Sequence, residues 1–432
     1  MVGQLSKTLL PDEALRCPHA KICGACQHVN EPYEQQLSTK DGQVRTLFHE
    51  AGFDDVDPLP ILGMATPYHY RNKVISPFAP GRRGTKGGSG AQPKRGAKGG
   101  RLIKGDRDAK GAREILTGMY VAGTHQLVNT DGCLVENEQA KQVVQAIRSI
   151  MLRHDIAPYD EDMGAGFMRH VVVRVGHASG EVLVTLVTND DAFPNSRGFC
   201  RELVKRCPFV TTVVQNVNTR QTNVILGQKE QRLYGPGFIL DTLCGLSFRI
   251  SSQSFYQVNA VQTEVLYETA MQLAHVEEAR CIVDAYCGTG TIGLVAAARS
   301  GAQVVGVDTV ESAIRDAREN ARHNGIENAQ FVTADAAQFM REQAVAGKAV
   351  DLVFMDPPRA GSTEAFLGAL AQLAPERVVY ISCNPATQVR DLAYLAQRGY
   401  AVREVQPVDM FPHTDHVECV VSLSKEAVEV VS

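Results

Sequence analysis

A short apolar run, Cys281-Ile282-Val283-Asp284-Ala285, leads straight into Tyr286-Cys287-Gly288-Thr289-Gly290-Thr291-Ile292-Gly293, and a helix-forming stretch runs from Leu294 to Arg299. The glycines stand at G-x-G-x-x-G spacing, which permits a tight turn and a close approach of backbone to a ligand. The alternation then continues. A strand Val304–Val307 ends in Asp308, a helix spans Glu311 to His323, and a strand Gln330–Thr333 precedes Asp335. The apolar runs Leu352–Met355 and Val378–Ile381 follow. Strand and helix alternating through residue 420 predict an α/β fold with a doubly wound sheet, in which ligands bind outside the carboxyl ends of the strands.

Two phrases fall at those ends, Asp356-Pro357-Pro358-Arg359 and Ser382-Cys383-Asn384-Pro385. A lone cysteine is more often a buried core thiol than a reagent. Set beside a proline-bearing turn at the ligand edge of a sheet, Cys383 becomes a candidate nucleophile. A G-x-G-x-x-G alone also suits a dinucleotide dehydrogenase, and Asp308, placed for ribose hydroxyls, serves either cofactor class. Asp335 and Asp356 after successive strands favour S-adenosylmethionine, and no hydride-transfer partner is evident.

With 432 residues, 44% of them hydrophobic, the chain should form two or three domains. A net charge of -4 points to no partner by itself. No apolar run approaches membrane-spanning length and Met1-Val2-Gly3-Gln4 opens no signal peptide, so a cytoplasmic protein away from membranes is expected. Eleven cysteines in such a chain suggest thiols and metal ligands rather than disulfides. Cys17, Cys23 and Cys26 form C-x5-C-x2-C, and Cys133 is the best fourth ligand. Spacing leaves zinc and an iron–sulfur cluster both open, and His19 and His28 leave room for a mixed zinc site.

Between Pro80 and Arg113 eleven basic residues stand against Asp106 and Asp108, a net of +9 in a glycine-rich stretch. Such a composition is expected to form a flexible loop suited to phosphates, or a solvated insertion without a specific partner. From Phe167 to Leu246 the pattern is β-rich. Val171–Val175 and Val182–Val187 flank Ala178-Ser179-Gly180 as a hairpin, with further strands at Val213–Gln215 and Val224–Leu226. Arg169, His170 and Arg174 there could face a polyanion or serve the fold. A helix from Val261 to Leu273 follows Ser254-Phe255-Tyr256-Gln257-Val258-Asn259.

Taken together, these phrases, with His413-Thr414-Asp415-His416-Val417-Glu418, resemble the RNA uracil-C5 methyltransferase family across nearly the whole chain. The resemblance implies a C-terminal Rossmann-like S-adenosylmethionine-dependent domain (246–432), a central α+β RNA-binding domain (65–245) carrying the basic insertion, and an N-terminal iron–sulfur segment (1–64). It implies that Cys17, Cys23, Cys26 and Cys133 hold a [4Fe-4S] cluster. Gln257, Tyr286, Gly288, Asp308 and Asp356 would bind S-adenosylmethionine, with Asp335 near the adenine. Cys383 would be the nucleophile and Glu418 the base. With only sixteen residues before Cys17, the N-terminal OB-like domain of some members is expected to be missing. Cluster-bearing members modify 23S ribosomal RNA, so that substrate is expected rather than transfer RNA, acted on by a monomer. A cytosine-C5 methyltransferase and a non-catalytic metal-stapled RNA-binding protein are the rivals. The first usually carries a Pro-Cys phrase that is missing here, and intact Cys383 and Glu418 argue against the second.

The chemistry asks for these two residues. Uracil C5 is too weak a nucleophile to attack a sulfonium methyl unaided. A thiolate adding to C6 makes an enolate whose C5 can take the methyl. A general base must then remove the C5 proton before the thiolate leaves. The target uridine should lie in a loop or be flipped out of its helix.

Overall fold

A computed structural model describes residues 15–81 and 114–426 of the chain. The basic stretch from Arg82 to Arg113 lies outside the described residues. The doubly wound sheet expected in the C-terminal half is present, with seven strands. Its order is Ala329–Thr333, Gln303–Asp308, Cys281–Ala285, Leu352–Met355, Arg377–Ser382, Glu418–Lys425, Tyr400–Val408. The first five strands are parallel, and the last two are antiparallel to their neighbours. Alternate residues enter opposite cores: Leu352 and Phe354 pack on one side of the sheet, Val353 and Met355 on the other. This is why these strands read as continuous apolar runs rather than as alternating ones.

Helices cover both faces. Residues of Ala260–Ala274, Thr291–Ser300 and Glu311–His323 fill one core. The other face takes Ala336–Val345, Glu364–Leu373, Pro385–Ala396 and a helix from far away in sequence, Tyr33–Glu50, whose Val44 and Phe48 are fully buried there.

The central part holds a six-stranded mixed sheet, ordered Ile115–Thr117, Lys73–Pro80, Met168–Val175, Val182–Thr188, Val210–Val217, Lys229–Tyr234. Helices Glu138–Arg153 and Ser196–Arg206 pack on one of its faces. The hairpin at Ala178-Ser179-Gly180 is present, with Gly180 at a φ of +69°. The strand expected at Val224–Leu226 is not. Side chains take the carbonyls a ladder would use: Asn218 donates to Val224 and Ile225, and Arg220 to Leu226. The strand begins only at Lys229. Arg169 and Arg174 serve the fold, each buried and donating to backbone carbonyls, of Asn218 and Arg220 and of Ser254 respectively.

Candidate active site

Ser382 ends its strand, and the next residues turn sharply. The Asn384 amide donates to Ser382 Oγ at 3.1 Å and the same hydroxyl donates to the Asn384 carbonyl at 3.2 Å. Pro385 then opens the helix, where its missing N–H costs nothing. Ser382 pairs with Cys419 in the antiparallel ladder. Cys383 just beyond the one and Glu418 just before the other are therefore neighbours. Fully buried Gln388 fixes this register, its Nε2 donating to the carbonyls of Tyr380 at 3.0 Å and Cys419 at 3.1 Å.

The surroundings shape the chemistry of both groups. Burial, then the charges of Glu418 and Asp356, push the half-buried Cys383 thiol above its ordinary range, while Arg359 pulls it down by charge and a hydrogen bond. Burial and then Asp356 push Glu418 well above the carboxylate range, and burial does the same to Asp356. Two carboxyls that influence each other in a dry site resist ionising together.

The loop after Met355 is tied to the cysteine turn. Asn384 Nδ2 and Thr387 Oγ1 donate to the Arg359 carbonyl at 3.0 and 3.3 Å. Deeper in, buried Asp391 accepts from the Ser362 amide and the Tyr380 hydroxyl, both at 2.7 Å, and Ser362 Oγ reaches the Tyr286 hydroxyl at 3.3 Å. Tyr286 is thereby anchored at a φ of +63°, a left-handed conformation that is uncommon for a bulky residue and clusters at ligand sites.

The glycine loop explains its own spacing. A Cβ at Gly290, which stands at a φ of +79°, would meet the Phe331 ring at 2.7 Å. One at Gly293 would meet Asp284 Oδ2 at 2.8 Å, the atom that accepts the Gly293 amide. Asp308 accepts from the amides of Gly288 at 3.0 Å and Val310 at 2.8 Å. Thr289 Oγ1 donates to the Phe255 carbonyl, joining this loop to the segment that carries half-buried Gln257. Asp335 accepts from the Gln338 amide as the cap of the next helix. Thus Cys383, Glu418 and Asp356 stand at neighbouring strand ends and act on one another by charge, and Tyr286, Gly288 and Asp308 lie along the same row of strand ends.

Three residues that sequence reasoning passed over belong here. Asp284 is buried, its Oδ1 has no partner, and burial pushes its carboxyl up to about 8. Arg359 and His416 face each other at 3.2 Å beside the thiol. Arg359 and His416 stand inside motif phrases, and an acid at the end of the first strand was a readable signal for Asp284.

The connection from Asp409 to Val417, which carries His416 to Glu418, is clasped by the N-terminal segment. Lys40 and Asp409 form a buried ion pair at 2.6 Å, and Tyr33 adds a hydrogen bond to Asp409 at 2.7 Å. His413 is buried at a φ of +72°, its amide donating to Gln36 Oε1. Its Nε2 bonds the Pro67 carbonyl at 2.8 Å, so Nε2 carries the proton and Nδ1 accepts from Gln36.

Cys17, Cys23, Cys26 and Cys133 line one cavity of about 380 Å³, shared with His19, Arg71, Lys73 and His170. Burial pushes Cys26 up to about 12, helped by Cys133, Cys23 and Cys17. Cys133 Sγ accepts from the amides of Val135 and Glu136, each at 3.5 Å. Among the described residues no group of three or more His, Cys, Asp or Glu side chains is drawn together tightly enough for a single metal ion. His28 is engaged elsewhere, by Glu31 and Asp415. No helix of the described residues is long and apolar enough to cross a membrane.

Comparison with known proteins places this geometry in context. Residues 245–426 match the family model described as tRNA (Uracil-5-)-methyltransferase. An uncharacterised RNA methyltransferase of Bacillus cereus is 39% identical over 95% of this chain and 82% of its own length. One from Oceanobacillus iheyensis is 39% identical over 93% and 81%. Among solved structures, Pyrococcus abyssi tRNA (uracil-54, C5)-methyltransferase in complex with S-adenosyl-L-homocysteine superposes with a TM-score of 0.71 at 25% identity, covering 93% of this chain and 86% of that one.

Proposed function

We propose, since this chain belongs to the RNA uracil-C5 methyltransferase family, that it methylates C5 of a uridine in RNA through a covalent adduct on Cys383. It is an S-adenosylmethionine-dependent RNA methyltransferase, and the observation that carries the finer reading is the register that sets Cys383 beside Glu418. The cradle suits the methyl donor: backbone amides turned on Asp308, an unpartnered buried Asp284 oxygen, and open space where a Gly288 side chain would be. Gln257, Tyr286, Gly288, Asp308 and Asp356 would hold it, with Asp335 near the adenine. When bound, it supplies an electrophilic methyl.

The chain's own groups do the rest. Cys383 Sγ adds to C6 of the uracil, which places the electrons at C5. Once C5 is methylated, Glu418 takes its proton and the C6–S bond breaks, returning free thiolate. A carboxyl whose proton affinity is raised by burial accepts a proton from carbon better than an ordinary surface acid.

The three-part organisation at 1–64, 65–245 and 246–432 goes with this reading, as do 23S ribosomal RNA as substrate and a [4Fe-4S] cluster on Cys17, Cys23, Cys26 and Cys133. The four thiols line a common cavity and amides donate to Cys133 Sγ, a donor set whose chemistry is open to a shared thiolate-bound centre. A transfer-RNA substrate is the second reading, favoured by the likeness to the Pyrococcus abyssi tRNA (uracil-54, C5)-methyltransferase. Deleting the gene and mapping 5-methyluridine separates them. Loss from 23S ribosomal RNA supports the first, loss from transfer RNA the second, and no loss from any RNA removes both.

A further inference from the structure

Arg359 is held differently along its length. Its carbonyl is fixed by Asn384 and Thr387 of the cysteine turn. Its side chain is exposed and, among the described residues, has no carboxylate within ion-pairing distance. A long, solvated guanidinium with that much rotamer freedom has no reason to stay at the thiol unless something else holds it. What holds it is His416, which lies 3.2 Å from Arg359 Nη2, while the backbone of Arg359 is tied to the cysteine turn and its charge pulls the Cys383 thiol down. A guanidinium only donates, so His416 Nε2 accepts and the neutral ring carries its proton on Nδ1. His416 is itself steadied. Its amide donates to Thr414 Oγ1 at 3.2 Å, its ring meets Phe411 edge-on at 6.1 Å, and His28 pins the preceding Asp415 at 2.6 Å.

We infer that His416 is a positioning residue for this reaction: by accepting a hydrogen bond from Arg359 it holds the guanidinium against the Cys383 thiol. The inference rests on Cys383 being the nucleophile proposed above. Its physical need is plain from the site. Glu418 has to stand beside Cys383 to collect the C5 proton, and its charge, with that of Asp356, opposes the thiolate that must form first. Among the described residues the charges that act on Cys383 are those of Glu418, Asp356 and Arg359, and of these the arginine's favours the thiolate. The charges of Arg359, Asp415, Lys40 and Arg71 act on His416. Arg359 is the one of these that it touches by hydrogen bond.

The test uses the full-length enzyme without RNA. Iodoacetamide alkylation is followed against pH and read at the Cys383 peptide by mass spectrometry, for wild type, Arg359→Ala, His416→Leu and His416→Gln, with methyl transfer measured alongside. Arg359→Ala and His416→Leu should each raise the midpoint of the Cys383 profile by about half to one pH unit. Alkylation near pH 8 should then be about 3- to 10-fold slower. His416→Gln, whose amide oxygen can replace Nε2 as acceptor, should keep the wild-type profile. Combining His416→Leu with Arg359→Ala should add nothing to the single arginine change. A His416→Leu protein that alkylates Cys383 like wild type but no longer methylates overturns the inference, since the imidazole would then be acting on RNA directly. A shift that glutamine does not rescue also overturns it. A wild-type enzyme that methylates no uridine overturns the functional reading whatever the alkylation profile.

Discussion

Ser382 and Cys419 are paired across the antiparallel edge of the sheet, and the residues flanking that pair, Cys383 and Glu418, meet where the parallel strands end. Burial acts first on both, and charge adds to it, so both hold their protons more tightly than usual. Each has to be deprotonated to act, one to add to C6 and the other to take the C5 proton. Raised proton affinities mean that the competent form grows as pH rises. Single-turnover methylation at saturating substrates should therefore climb from about pH 7 to about pH 9. A rate flat over that range would mean that the bound complex has cancelled both shifts.

The buried pair Lys40–Asp409 fastens a helix near the N-terminus to the connection that carries His416 and Glu418. Removing one member leaves a charge without its partner in a site closed to water. Lys40→Met should cost about 3–5 kcal/mol in urea unfolding. Lys40→Met combined with Asp409→Leu should recover part of that loss. A cost below about 1 kcal/mol would show that the pair is effectively solvated.

Much of this was legible because the informative signals are local. An apolar run followed by Asp356-Pro357-Pro358 or by Ser382-Cys383-Asn384-Pro385 announces a strand end, and both are strand ends. The predicted helix from Glu311 to His323 is the observed one. What stayed hidden depends on contacts distant in sequence. Nothing in Tyr33–Glu50 says that Val44 and Phe48 will complete the catalytic half's core, since the helix has polar residues such as Gln36 and Lys40 facing inward too. Those residues are buried because Asp409 and His413 wait for them 369 and 377 residues away. Val224–Leu226 misled because β-branched residues were counted without the asparagine and arginine that capture their carbonyls.

The cysteine cavity gives a direct chemical readout. Protein purified without oxygen should be brown, with iron and sulfide in equal amounts, and Cys133→Ser should bleach it. Colourless protein carrying one zinc would remove the cluster. Methyl transfer itself moves no electrons, so a redox-inert analogue of the site should leave the chemical step running.

The stretch from Arg82 to Arg113 carries a net +9 in a chain that totals -4. If it meets RNA phosphates, deleting it should weaken RNA binding and flatten the dependence of log affinity on log salt, with binding of S-adenosylmethionine unaltered. An unchanged salt slope would leave the segment as a solvated insertion.

Loss of the nucleophile and loss of the base should look different. Cys383→Ala cannot begin the reaction, so it should bind RNA and the methyl donor yet form no adduct. In Glu418→Gln, addition to C6 and methylation can still occur, but the C5 proton stays and the C6–S bond cannot break. That protein should be caught on RNA as a slowed band in a denaturing gel, dependent on both S-adenosylmethionine and Cys383. Glu418 is buried and its neighbour Cys419 is held through Gln388, so thermal unfolding of the variant has to be checked beside the gel. If folded Glu418→Gln binds both substrates and gives no such band, Glu418 is not the proton acceptor. Asp356, which shares its electrostatic environment, then becomes the residue to change next.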